Sequence, residues 1–176
     1  MNNERRILYI SVAANFIIGI IIGIILFYGQ MRIEPAVLEG GYTYDKSATL
    51  ADFFRLSWLN TIWLLSIFLA HCILPLRMVH PIIAVRGCVS SFSILYILTL
   101  LGIKEAVAAV IPQCLSVLPM LAIFSVETTV KYRENIKNGY FPCSFKRYEI
   151  VSIFMFSMLA AAVEVLIFRL FCTFLF

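Results

Sequence analysis

Five apolar stretches, each long enough to cross a lipid bilayer, constrain this chain more than any other feature of its sequence. A membrane-crossing helix needs about 20 mostly apolar residues, and only helices or closed barrels satisfy their backbone hydrogen bonds in lipid. The composition agrees, since 62% of the residues are hydrophobic and 14% are charged. We therefore predict an all-α, polytopic membrane bundle that forms a single integral membrane domain over residues 1–176. The five predicted spans cover roughly residues 7–28, 58–75, 81–101, 106–126 and 150–174.

Lysine and arginine residues in the predicted loops indicate how the bundle is oriented, because cytoplasmic loops carry more of them. With the N-terminus in the cytoplasm, that side collects eight basic residues and the other side four, Arg86 left aside. We therefore expect a cytoplasmic N-terminus, an uncleaved first helix and a C-terminus outside. The two longer loops, roughly 29–57 outside and 127–149 inside, are too short for a separate soluble domain.

The fourth stretch carries two prolines, Pro112 and Pro119, with Gln113 beside the first. A proline within a helix removes one backbone donor and frees the carbonyl about four residues earlier. In lipid, protein or water must satisfy such a carbonyl. We expect a broken, bent fourth helix that lies among the other helices rather than against lipid.

Charged and amide side chains inside the spans are costly in lipid, and they are functional hypotheses by default. Glu164 lies mid-span in the last stretch, where its short side chain does not reach water. One interpretation is a structural carboxyl that fixes helix registry through a hydrogen bond to Gln113 or Asn15. The alternative is a proton or cation site of a small transporter or channel subunit that uses Glu164 and Gln113. Arg86 and Arg169 lie near span ends and are expected to extend towards water.

An aromatic segment, residues 42–58, precedes the second span on the predicted outer side. A Thr-x-x-Asp pattern at residues 49–52 has the spacing of a capping box, so a helix is expected to begin there. Phe53, Phe54 and Trp58 then give an amphipathic helix of the kind that lies at a membrane interface. These side chains either anchor the second span or form a docking face for an extracytoplasmic partner.

Motifs for catalysis or metal binding are missing from the sequence. No HExxH, GxSxG or glycine-rich phosphate loop occurs, and the five cysteines lack the spacing of a zinc site. We therefore expect a protein that is not an enzyme and has no cofactor, no metal, no nucleic-acid partner and no small-molecule substrate.

The fourth stretch and the turn before it resemble a known membrane-protein family. Leu101-Gly102-Ile103-Lys104 is followed by Ile111-Pro112-Gln113 and Leu118-Pro119. This order is similar to the L-G-x-K/H-G turn and the P-Q-N-L…I-P segment of the stage II sporulation protein M family. The resemblance extends over roughly residues 50–170.

Other parts of the chain agree with this family. Arg86-Gly87 resembles the basic-glycine pair that starts the family's third helix. Residues 161–164 resemble its alanine-rich last helix, which carries a glutamate. The chain departs from the pattern at three positions, so it resembles a divergent member; these positions are Ser91, Glu105 and Cys114.

The resemblance implies a non-enzymatic membrane member of the sporulation engulfment complex. Such a member recruits or anchors stage II sporulation proteins D and P, which remodel peptidoglycan, at the septal membrane. A multi-pass protein of the cell membrane, in a spore former the mother-cell or septal membrane, is therefore expected. Residues 42–58 would face the partners, Pro112–Pro119 would shape the bundle, and Gln113 and Glu164 would fix helix registry. The structural and partner candidates are Arg86, Gly87, Gly102, Pro112, Gln113, Pro119, Glu164, Phe53, Phe54 and Trp58.

Overall fold

The computed structural model describes residues 3–29, 50–73, 79–100, 102–138 and 147–175. Within these ranges every regular element is a helix. A π-helical turn, Gln113–Val117, joins the fourth helix to the fifth. The helices are α1 (Asn3–Gly29), α2 (Leu50–Ile73), α3 (Val79–Leu100), α4 (Ile103–Pro112), α5 (Leu118–Lys137) and α6 (Arg147–Leu175).

Five helical segments of the described chain are long and apolar enough to cross a membrane. Many isoleucine, leucine and phenylalanine side chains on their outer faces are exposed, which is the surface expected against lipid. The prediction of an all-α, multi-pass membrane protein with five spans is thereby confirmed. The segments are Asn3–Gly29, Phe53–His71, Pro81–Leu100, Ile103–Lys137 and Glu149–Leu170.

The prediction of a loop over roughly 127–149 is wrong for its first part, because α5 continues to Lys137. Charged residues ended the apolar pattern there, but they do not end a helix, since their helix propensities are good. The helix ends only where the backbone N–H of Asn138 donates to the Glu134 carbonyl at 3.0 Å. The last turns of α5 are therefore a polar helical extension of the fourth span.

The closest helix contact joins α1 to α3 and depends on three glycines. A Cβ atom on Gly19 would lie 2.0 Å from the Ala84 carbonyl oxygen, and one on Gly87 would lie 2.4 Å from that of Phe16. One on Gly23 would lie 2.5 Å from the Cys88 carbonyl oxygen. Small residues thus bring the two backbones together, as is usual between membrane helices.

The fourth span is continuous, so the expectation of a broken helix at Pro112 and Pro119 is wrong. The Leu118 N–H donates to the Gln113 carbonyl five residues earlier, and the Ser116 hydroxyl donates to the Pro112 carbonyl at 2.7 Å. These bonds keep backbone groups satisfied around the prolines. Pro112 is buried as expected, but Pro119 is exposed. Residues seven apart, such as Pro112 and Pro119, share one face of a regular α-helix. The extra residue of the π turn between them rotates the following face by about 100°, so Pro119 points away from the side on which Pro112 is buried.

A tight turn at Gly102 connects α3 to α4. Its φ of +113° with ψ of −177° belongs to a region that is essentially restricted to glycine. The Gly102 N–H donates to the Ile97 carbonyl at 3.3 Å, and its carbonyl accepts from the Ala106 N–H at 3.2 Å. Glycine at this position is therefore a requirement of the turn.

Candidate functional site

Ion pairs join three helices at one end of the bundle. The Arg5 guanidinium on α1 contacts the Glu127 carboxylate on α5 at 3.2 and 3.3 Å. A second pair between these helices joins Arg133 to Glu4 at 2.7 Å. Lys131 on α5 is also paired with Glu149 on α6. Ion pairs near the surface contribute little to stability, but together they show that α1 begins where α5 ends and α6 begins.

A cavity of about 480 Å³ opens at this end, and we call it the end cavity. Its volume falls in the range of about 300–1,000 Å³ that is typical of ligand sites. The sequence interpretation did not identify it. Glu127, Lys131 and Glu134 have helical spacing on one face of α5, which is the signal that was available. The end cavity is lined by Arg5, Phe68, His71, Ile123, Phe124, Glu127, Thr128, Val130, Lys131, Tyr132, Glu134, Asn135, Glu149, Ser152 and Phe156.

His71 is buried, lines the end cavity and connects α2 to α5. Its Nδ1 lies 2.8 Å from the Ile67 carbonyl, an acceptor, so Nδ1 carries the proton. Its Nε2 lies 2.9 Å from the Thr129 Oγ1, and that hydroxyl also lies 2.7 Å from the Ser125 carbonyl. Since a hydroxyl has one proton, the Thr129 hydroxyl donates to Nε2 only when the imidazole is neutral. The Tyr132 ring lies 6.0 Å away, edge to face.

A second polar contact connects α2 to α6 in the bundle interior. The Thr61 hydroxyl donates to the Ser157 Oγ at 2.7 Å, and the Ser157 hydroxyl donates to the Phe154 carbonyl at 2.9 Å. Both residues are buried. Hydrogen bonds of this kind between membrane helices contribute about 0.6 kcal/mol on average.

Glu164 is 3% exposed and lies on α6, which packs against α2, α4 and the π turn. Gln113 begins that turn and is half-buried. The predicted contact between the two side chains remains a prediction. The other predicted partner, Asn15, donates its amide to the Ser11 carbonyl of its own helix at 2.8 Å.

The candidates on α2 and α3 lie in two separate places. The Arg86 guanidinium carbon lies 5.2 Å from the centre of the Trp63 ring, a cation–π contact between α3 and α2. Trp63 lies near the middle of α2, whereas the Phe53 and Phe54 rings lie at its start and are 5.4 Å apart. Trp58 is 63% exposed. The first part of the aromatic segment, up to and including Thr49 of the predicted capping box, lies outside the described residues. The described part of α2 begins at Leu50, and the predicted capping box remains a prediction.

The structure therefore separates the sequence candidates into groups. Gly87 lies in the α1–α3 contact, and Gly102 forms the turn before α4. Pro112 and Pro119 lie on either side of the π turn, which begins at Gln113 and against which α6 packs.

Among family descriptions, curated proteins and solved structures, nothing matches this chain.

Proposed function

We propose that this protein is a non-enzymatic membrane scaffold of the sporulation engulfment complex. It would hold stage II sporulation proteins D and P at the septal membrane, with the start of α1 in the cytoplasm and the C-terminus outside. The specific assignment rests on the residue resemblance. The observation that supports it is that Gly87 and Gly102, both part of that resemblance, occupy positions where a side chain is sterically excluded or strained.

The proposed docking surface consists of Phe53, Phe54 and Trp58 at the start of α2. Phe54 and Trp58 are 61% and 63% exposed, although α2 buries other residues against α5 and α6. Aromatic side chains are enriched in protein interfaces, and tryptophan is among the residues that most often contribute strongly to binding. Their position at the predicted outer end of a span suits partners that act on peptidoglycan.

Deletion of the gene in its host tests the scaffold role. Septal membranes are imaged with a membrane dye during sporulation. We expect engulfment to stall, and complementation with the wild-type chain to restore it. Normal engulfment in the deletion strain would contradict the proposal.

Copurification tests the docking surface. Trp58→Ala should weaken binding of the D and P proteins about thirtyfold and reduce their recovery accordingly, since loss of a central aromatic contact costs about 2 kcal/mol. Phe154→Ala is the matched control, because Phe154 is an exposed aromatic residue on α6. Equal loss in both variants would show that the effect is not specific to the start of α2.

A small transporter or channel subunit is the second candidate, and the burial of Glu164 inside the bundle favours it. Purified protein in liposomes is assayed for proton and solute flux. Transport through this carboxyl predicts flux by the wild type and its loss in Glu164→Gln. Wild-type liposomes without flux would eliminate this candidate.

A further inference from the structure

The end cavity changes from apolar to charged along the bundle axis. Ile123 and Phe124 lie in the first half of α5, whereas Glu134 lies near its end. On α6, Phe156 lies about two turns deeper in the span than Glu149. Apolar and aromatic side chains therefore line the part nearest the membrane centre, and charged side chains line the mouth. This gradient suits a ligand with an apolar chain and a charged head.

The charges at the mouth select the sign of that head. Three carboxylates and two basic side chains line the end cavity, so one negative charge is in excess with His71 counted as neutral. Glu127 and Glu149 are held by Arg5 and Lys131. Glu134 makes no ion pair with any other residue that the structure describes. Its exposed carboxylate is the group that a positive ligand would meet.

We propose that the end cavity binds a primary ammonium group carried on an apolar chain. The ammonium donates to the Glu134 carboxylate, and Tyr132 also lines the end cavity, where aromatic faces attract cations in addition. The apolar chain lies against Phe68, Phe124 and Phe156. Two sources have this chemistry, an ethanolamine phospholipid and a free long-chain amine. The proposal does not depend on the scaffold role.

Binding is measured with the purified full chain in maltoside micelles, as a saturable rise in melting temperature. The probes are dioctanoyl phosphatidylethanolamine, octylamine and, as an anionic comparison, dioctanoyl phosphatidylglycerol. Glu134→Gln should weaken binding of the ammonium probes about fivefold, the value of one exposed ionic contact of about 1 kcal/mol. Because Glu134 is exposed, this variant is expected to fold.

Glu105→Gln is the matched control, since it removes the same charge at the opposite end of the bundle, in the first turn of α4. It should bind the ammonium probes as the wild type does. Glu134→Lys reverses the charge at the mouth and should abolish the response to octylamine.

The outcomes separate the two sources and decide the proposal. A response to both ammonium probes, weakened about fivefold in Glu134→Gln, supports recognition of the ammonium itself. A response to only one of them, weakened about fivefold in the same variant, identifies the phospholipid or the free amine as the source. Three results would overturn the proposal: no saturable response, unchanged binding in Glu134→Gln, or a response to phosphatidylglycerol as strong as that to phosphatidylethanolamine.

Discussion

Single glycines set how closely helices approach in this bundle. Gly19 and Gly23 on α1 face the backbone of α3, and Gly87 on α3 faces the backbone of α1. Ser91, one of the three positions at which the chain departs from the sporulation family's pattern, also belongs to this contact, because its Oγ would lie 2.0 Å from a Cβ atom on Gly23. A small hydroxyl is tolerated on one helix only because the other helix has no side chain there.

At the residue scale, Gly87→Ala should destabilise the protein by about 1–3 kcal/mol, since the new methyl group meets a backbone oxygen that cannot move aside. Unfolding of the purified protein in micelles measures the change. Gly29→Ala is the control, because a Cβ atom there meets no atom of the described residues within 4 Å. Equal stability of the two variants would contradict this account of the α1–α3 contact.

Hydrogen bonds between side chains determine how whole elements are matched across the bundle. Apolar faces of membrane helices resemble one another and the lipid, so hydrophobicity does not select a partner helix there. The contacts of Thr61 with Ser157 and of His71 with Thr129 instead fix α2 against α6 and α5. The two contacts lie about three turns apart along α2, so they fix its rotation as well as its position.

At the element scale, Thr61→Val and Ser157→Ala should show a coupling free energy of about 0.6 kcal/mol, with an upper limit near 1.7. A double-mutant cycle of unfolding in micelles measures it. Ser66→Ala replaces Ser157→Ala in the control cycle, because the Ser66 hydroxyl donates to the Ile62 carbonyl of its own helix rather than to α6 in the described part of the chain. Coupling as large in the control cycle would argue against the α2–α6 hydrogen bond.

At the scale of the whole molecule, the ion pairs connect the start of α1 to the end of α5, and the end of α5 to the start of α6. Four predicted spans lie between the start of α1 and the end of α5. An even number of crossings returns the chain to the same side of the membrane, which agrees with the ion pairs between these two ends. Which membrane face carries the ion-paired end remains a prediction of the charge rule. The end cavity and the exposed start of α2 lie at opposite ends of the bundle, because α2 spans the membrane between Phe53 and His71.

Cysteine labelling tests the orientation in whole cells. A cysteine-free background carries either Lys104→Cys, at the start of α4, or Asn138→Cys, at the end of α5; both positions are exposed. A membrane-impermeant maleimide should label Lys104→Cys in intact cells and Asn138→Cys only after permeabilisation. The reverse pattern would place the N-terminus outside.

The sequence by itself determined the helical class and the five spans, because these follow from local composition and segment length; the positive φ that requires glycine at Gly102 came from the structure. It also indicated Pro112 as a buried position. Only the tertiary structure decided that α1 pairs with α3, that Pro119 faces outward and that charged ends of three helices surround a cavity. Each of these depends on residues distant in the chain, such as Arg5 and Glu127, or on the phase shift of a single π turn. The hydrophobic periodicity of a sequence does not predict which helices pack together, because in lipid the pairing of apolar helix faces depends on shape and on a few hydrogen bonds.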